Sequence, residues 1–413
     1  MNLYIFNAND LAAIYGIGTY LKALTHALEG TGINVHVVNL HSARTEFEIV
    51  KEENFENWYV PEVFNHNTFN GSKQMLEDYC RNVVYLLRLY IKDTKDLVFQ
   101  INYNHYQIFA KELKATFECK TIVTVHFTKW AFVLQGNLAL LQTIRSKPDD
   151  QKSGRDNWIC TTFENESLLY KEVDHVIVLA QYTQNLLRTE YNIDANKITV
   201  IPNGLDDCTL FKSREKKLIR KQFLISENEL IILFVGRLSM EKGLTVLLKS
   251  FRAVLDKIPK CRLIIAGNGN FDVFMKECED IWTHITWTGL LNKQKLYELY
   301  TITNIGIMPS FHEQCSYVAI EMMRHGLPII GSTSTGLKEM IIDGETGLHI
   351  PVIEDKEKVE IDTSILAEKM LYLLLNPKER QRLGKNARKR YEECYSREVF
   401  RKNMCNFYRS LYE

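Results

Sequence analysis

The run from Ile305 to Gly331 constrains this chain more than any other stretch. Ile305-Gly306-Ile307-Met308 is an apolar segment of strand length. It stops at Pro309. The polar loop Ser310-Phe311-His312-Glu313-Gln314-Cys315-Ser316 then leads into Tyr317-Val318-Ala319-Ile320-Glu321-Met322-Met323, which has helical length and composition. Gly326 ends that helix, and Pro328 opens a second apolar run, Ile329-Ile330-Gly331. Strand, loop, helix, turn and strand make a βαβ unit, so the sheet is parallel. The loop lies at the carboxyl end of a strand, where open α/β sheets bind ligands. The unpaired N–H groups at a helix start suit a phosphate.

Two carboxylates bracket that helix start. A carboxylate accepts two hydroxyls at once, so Glu321 suits the vicinal hydroxyls of a ribose, and Glu313 suits a sugar beyond the phosphates. An ordinary acid at a helix start and a solvated helical glutamate account for the same pair, so the spacing alone does not decide.

With 413 residues, the chain is too long for one ordinary core, and two domains are expected. The 51 basic and 51 acidic residues cancel, which argues against a nucleic-acid surface. Through Asp206 there are 19 basic and 24 acidic residues, and beyond it 32 and 27, so an anionic nucleotide is expected in the second half. Nine cysteines, an odd number without a Cys-x-x-Cys pair, fit a reduced, cytoplasmic protein. The start, Met1-Asn2-Leu3-Tyr4-Ile5-Phe6, lacks the basic region of a signal peptide and reads as a first strand. No apolar run reaches membrane-spanning length, which leaves only peripheral membrane contact open.

Apolar strands and helical patterns alternate in two series. In the first, Leu3–Phe6 and Ile33–Val38 flank a helical pattern that starts at Tyr15-Gly16-Ile17-Gly18. The longer glycine pattern of a dinucleotide site is missing, and the second strand ends in Asn39 instead of an acid, which disfavours NAD. Leu97–Ile101 and Thr121–Val125 are further strands, and His126 follows the latter directly, at its carboxyl end. The stretch from about 42 to 95 has one long helical pattern at its end and is otherwise unassigned. Ser146–Asp156 reads as a mobile surface loop. The polar stretch Lys212–Arg220 leads into the second series, whose strands are Leu230–Val235, Arg262–Ala266, Ile285–Trp287, Ile305–Met308 and Pro328–Ile330. The first of these runs into Gly236-Arg237-Leu238-Ser239-Met240-Glu241-Lys242-Gly243. There the Arg237 fork and the Lys242 point charge suit a departing diphosphate.

The stretch Pro309–Pro328 resembles the Glu-x7-Glu motif of retaining glycosyltransferases of the GT-B fold, in particular glycosyltransferase family 4. Residues 236–243 match the family's Gly-Arg-Leu-x-x-x-Lys-Gly completely, and Ile198–Asp206 resembles the marker closing its N-terminal domain. The resemblance implies an α/β protein with two facing Rossmann-like parallel-sheet domains. An acceptor-side domain would span 1–206 and a nucleotide-sugar domain 207–390, with a helix over 391–413 crossing back to the first. It implies an enzyme of hexosyltransferase type that moves a sugar from a nucleoside-diphosphate sugar, with UDP as the first guess and anomeric configuration retained. The acceptor would be a glycan, small molecule or polypeptide. Glu313 and His126 would contact the sugar, while Arg237 and Lys242 serve the leaving group. Gly16, Gly267, Leu290, Ser316, Tyr317, Val318 and Glu321 would line the donor site. Of the family's paired glycines, only Gly16 carries over. Phe127 stands where the family commonly has an Asp beside the histidine. Thr335–Glu339 and Asp343–Gly347 are expected to be structural turns. No Asp-x-Asp pair occurs, so no metal or other cofactor is expected.

Three alternatives stand beside this reading. They are a sugar phosphorylase and a nucleotide-sugar epimerase, both of related fold, and a non-catalytic subunit that binds a sugar nucleotide. Retention of Glu313, Glu321, Arg237, Lys242 and His126 together argues against the last.

Overall fold

The structure, a computed structural model, describes residues 1–8, 16–62, 73–104, 106–207 and 213–412. Tyr15 and Lys212 lie outside the described residues. The chain divides into two compact units. The first comprises Met1–Trp130, Ile144–Gly204 and Arg397–Glu413, and the second Ala131–Thr143 and Leu205–Ser396. The divisions thus fall at Gly204 and Arg397, and residues 131–143 pack with the second unit instead of the first.

The first unit holds an eight-stranded sheet. Its strands are β1 (Asn2–Ala8), β2 (Asn34–Ser42), β3 (Glu48–Lys51), β4 (Glu56–Pro61), β5 (Leu97–Ile101), β6 (Cys119–Val125), β7 (His175–Val178) and β8 (Ile198–Val200). They lie in the order β3-β4-β2-β1-β5-β6-β7-β8, and all pairings are parallel except β3 with β4. Every residue of β5 is buried, as a strand covered on both faces requires. From β1 the chain winds outward to β2 and then returns to β5 on the other side. The order of winding therefore reverses between β1 and β5.

The second unit repeats the device with β9 (Leu230–Val235), β10 (Cys261–Ala266), β11 (Ile285–Gly289), β12 (Ile305–Met308), β13 (Ile329–Ser332) and β14 (Gly347–Ile350). All pairings are parallel, in the order β11-β10-β9-β12-β13-β14, so the reversal lies between β9 and β12. Ile232, Phe234, Ile265 and Ile307 meet Leu247, Phe251, Leu366 and Met370 in one buried core. A small antiparallel hairpin, β15 (Val352–Glu354) with β16 (Val359–Ile361), follows β14.

Three expectations change. The unassigned stretch after 42 contains β3, β4 and the helix Lys73–Tyr90. The presumed loop Ser146–Asp156 is largely ordered: a 3-10 turn at Asp149–Gln151 precedes a helix, Gly154–Glu172, capped reciprocally by Ser153 and Asp156. Gly347 begins an edge strand, although Asp343–Gly347 reads as a turn. The C-terminal segment breaks at a π turn, Tyr391–Tyr395, before the final helix Arg397–Ser410. In that helix the Tyr408 hydroxyl donates to Gln100 Oε1 of β5 at 2.5 Å.

Candidate functional site

In the second unit the expected residues gather at the carboxyl ends of β9 and β12, the two strands flanking the reversal, where such sheets bind ligands. The segment after β9 turns through a 3-10 turn, Met240–Lys242, into the helix Leu244–Leu255. Gly243 joins them with φ of +69°, and a Cβ there would lie 2.0 Å from the Pro309 carbonyl oxygen. Only glycine permits both that backbone and that approach. The close packing brings the loop of Lys242 against that of Glu313. Lys242 Nζ donates to Glu313 Oε1 at 2.6 Å, and Ser310 Oγ donates to the same oxygen at 3.1 Å. Arg237 pairs with Glu241 at 3.2 Å, and its guanidinium lies 5.6 Å from the centre of the Phe132 ring.

The Glu313 backbone is fixed by a neighbour that the sequence reading treated as a plain turn. Glu313 N–H donates to Thr335 Oγ1 at 3.0 Å, while the Thr335 hydroxyl and the Gly336 N–H, the latter at 2.8 Å, donate to the Glu313 carbonyl. Thr335 adopts φ of +29°, uncommon for a β-branched residue, so the loop is held in place against local preference.

The helix Tyr317–Arg324 begins at Ser316, whose hydroxyl caps the Ala319 N–H. Tyr317 and Val318 form its first turn, whose N–H groups have no preceding helical carbonyl. Glu321 is 1% exposed, and both its oxygens are engaged: Oε1 by Lys293 Nζ and Oε2 by the Tyr300 hydroxyl at 3.0 Å. Burial, and then the Glu321 charge, push the Tyr300 phenol well above its ordinary range, so it stays protonated as the donor. Gly267 follows β10, and the space of a Cβ there is taken by the Gly236 carbonyl, 1.8 Å away, so only a bare backbone can line that turn. Leu290 follows β11 and is exposed. His312, next to Glu313, is 5% exposed, and burial pushes its imidazolium down to about 4.

In the first unit, Gly16 opens the helix Gly16–Leu28. His126 follows β6, and its Nε2 lies 3.0 Å from Asn102 Oδ1. Asn102 Nδ2 donates to the Phe6 carbonyl at 3.1 Å, which fixes the amide. His126 therefore carries its proton on Nε2 and leaves Nδ1 as a hydrogen-bond acceptor. Burial pushes its imidazolium down to about 3, so the ring is neutral at working pH. The Tyr20 ring meets it edge-on at 4.7 Å. Asn102 supplies the partner that Phe127 cannot.

Asn102, Thr335, Lys293 and Tyr300 were not anticipated. Asn102 had a signal, because it is the polar residue directly after an apolar strand that pairs with β6. The other three approach their partners from elements separated in sequence, and nothing in the spacing marks them. Among the described residues, no group of three His, Cys, Asp or Glu side chains could hold a metal. No described helix is long and apolar enough to cross a membrane.

Two family comparisons cover the two units almost completely. The family described as Glycosyltransferase Family 4 matches residues 14–207, and Glycosyl transferases group 1 matches 215–390. Each half of the chain is thus similar to a glycosyltransferase family, and together the matches make it family 4-like. A lipopolysaccharide 1,2-N-acetylglucosaminetransferase of Salmonella typhimurium is 26% identical over 42% of this chain and 48% of its own. A D-inositol 3-phosphate glycosyltransferase of Corynebacterium glutamicum is 30% identical over 43% of this chain and 46% of its own. The chain thus spans about half the length of these curated relatives. Solved structures match it throughout. A sucrose-phosphate synthase from Thermosynechococcus elongatus superposes with a TM-score of 0.77 at 20% identity, covering 100% of this chain and 99% of that one. Anabaena HepE in complex with UDP and glucose superposes at 0.72 and 14% identity, covering 99% and 100%. The chain therefore has the GT-B fold, with an α/β parallel sheet in each unit.

Proposed function

We propose that this protein transfers a sugar from a nucleoside-diphosphate sugar, preferentially a UDP-sugar, to a glycan, small-molecule or polypeptide acceptor, with the anomeric configuration retained. The bond from C1 of the sugar to the diphosphate oxygen breaks, and one from C1 to the acceptor oxygen forms. The diphosphate leaves with the electron pair, and one of its oxygens takes the acceptor proton. The observation that carries the reading is the convergence of Lys242, Glu313 and the Ser316-capped helix start at the β9–β12 reversal. A cation and helix N–H groups there suit a developing diphosphate, and Glu313 suits the hydroxyls of the sugar beside it. Arg237 adds a second cation, and Gly267 and Leu290 flank the base. Glu321 takes the ribose hydroxyls in exchange for Lys293, whose side chain is 57% exposed and stays solvated once displaced. In this reading His126 contacts the sugar as a neutral ring, with Gly16 near the phosphates. The UDP complex of HepE supports the choice of base.

The test is thermal stabilisation of the purified protein by UDP-, GDP-, ADP- and dTDP-sugars without added metal. The expected result is one clear winner, a UDP-sugar. No shift with any of the four would overturn the donor assignment. Proton NMR of the product made from the winning donor then tests retention at the anomeric carbon.

A further inference from the structure

Glu166 is a buried carboxylate for which the reaction above has no use. It lies in the helix Gly154–Glu172 at 1% exposure, with no salt bridge among the described residues. Its three hydrogen-bond partners are all donors. Oε1 accepts the Lys129 N–H at 2.8 Å and Asn104 Nδ2 at 3.2 Å, and Oε2 accepts the Tyr191 hydroxyl at 2.7 Å. The Tyr191 oxygen in turn accepts from Trp130 Nε1 at 2.9 Å, and Asn104 Nδ2 also donates to the Phe127 carbonyl at 2.5 Å. Apart from Tyr191, which follows the helix Gln181–Thr189, these partners belong to the segments after β5 and β6. Asn104 stands two residues beyond Asn102, and Lys129 three beyond His126. One carboxylate therefore clamps the segments that carry both members of the His126–Asn102 hydrogen bond.

We infer that Glu166 is a positioning residue: its ionised carboxylate sets the orientation of His126 by fixing the loops at the ends of β5 and β6. The inference rests on the assignment of His126 to the donor sugar for its effect on turnover, but not for its effect on the ring. An ionised carboxylate satisfies all three donors. A protonated one must donate, and each of its three hydrogen-bond partners donates to it, so either the Tyr191 hydroxyl reverses or a clamp bond is lost. Burial raises the Glu166 carboxyl to about 7, against the lowering effect of its three hydrogen bonds and the Lys129 charge. Besides Lys129, the titratable groups around it are Tyr191 and Tyr170, both held protonated well above their ordinary range by burial first and by Glu166 second. None of these neighbours titrates near neutrality, so the clamp tightens as pH rises through about 7.

The test compares wild type with Glu166→Gln and Tyr191→Phe. In wild type, kcat should rise through a limb near pH 7. Glu166→Gln should remove that limb, lower kcat about tenfold with donor KM nearly unchanged, and shift the His126 imidazole resonances. Tyr191→Phe, which keeps the carboxylate but removes one donor, should move the limb to higher pH. If Glu166→Gln folds and leaves the His126 resonances unchanged, the positioning role is overturned whatever the activity. A His126→Ala variant with wild-type turnover would instead overturn the sugar assignment, while the resonances still decide the positioning of the ring.

Discussion

Lys242 Nζ and Glu313 Oε1 stand 2.6 Å apart although 71 residues separate them in the chain. The contact exists because β9 and β12 are neighbours and Gly243 lets their following loops touch. Neither side chain is more than 18% exposed, so the pair is not an ordinary surface salt bridge. In the proposed function the lysine holds the glutamate in place until a diphosphate competes for its charge.

Replacing Lys242 or Arg237 by Ala should weaken nucleotide binding and lower turnover by at least about a hundredfold, the scale of losing one donor to a developing anion. Circular dichroism should remain that of wild type. Glu313→Gln should lose turnover more than nucleotide affinity, measured by titration calorimetry. Unchanged turnover in both cation variants would remove the leaving-group assignment, and the reverse pattern at Glu313 would move it away from the sugar.

Glu321 gives a sharper test because its lysine partner is dispensable in the proposed complex. Lys293→Met should leave nucleotide affinity unchanged or slightly higher, since the ribose no longer has to displace an ammonium. Glu321→Gln should weaken binding. A large loss of affinity in Lys293→Met would mean that the lysine contacts the nucleotide itself.

Thr335 holds Glu313 by its hydroxyl, in a backbone conformation that threonine disfavours. Thr335→Val keeps the shape and leaves the Glu313 N–H without that acceptor, a cost of about 1–3 kcal/mol. The expected outcome is a lower Tm and a fall in kcat with nucleotide affinity largely preserved. If Tm falls but kcat does not, the loop recovers its position without the hydroxyl.

The two βα series were legible because apolar runs such as Ile305–Met308 and Leu230–Val235 are fully or largely buried strands, and their turns carry glycines or prolines. Lys242 and Glu313 were legible as separate motif members, since each sits at a fixed offset from a strand end. Their direct pairing was not, because it depends on sheet order, which no local pattern records. β3 and β4 escaped because Glu48–Lys51 is largely exposed and Glu56–Pro61 is interrupted by polar residues, which weakens the alternation. Gly154–Glu172 was hidden for a related reason. Its buried residues include Asp156, Thr162, Glu166 and Ser167, so no apolar stripe announces the helix.

His312 offers a prediction about stability alone. Both its ring nitrogens are buried without a hydrogen-bond partner among the described residues, and such groups cost about 1–3 kcal/mol. His312→Leu should therefore be as stable as wild type or more so at pH 7.5. Acid should widen the difference. The unfolded imidazole takes up a proton near pH 6.5, whereas burial holds the folded one down to about 4. Between those values the unfolded state binds more protons, so stability present above pH 6.5 is lost as pH falls. From pH 7.5 to 5 this group alone should cost wild type about 2 kcal/mol, a loss the leucine variant avoids. Thermal melts at both pH values check this. Parallel slopes for the two proteins would mean that His312 finds a partner in solution and charges without penalty.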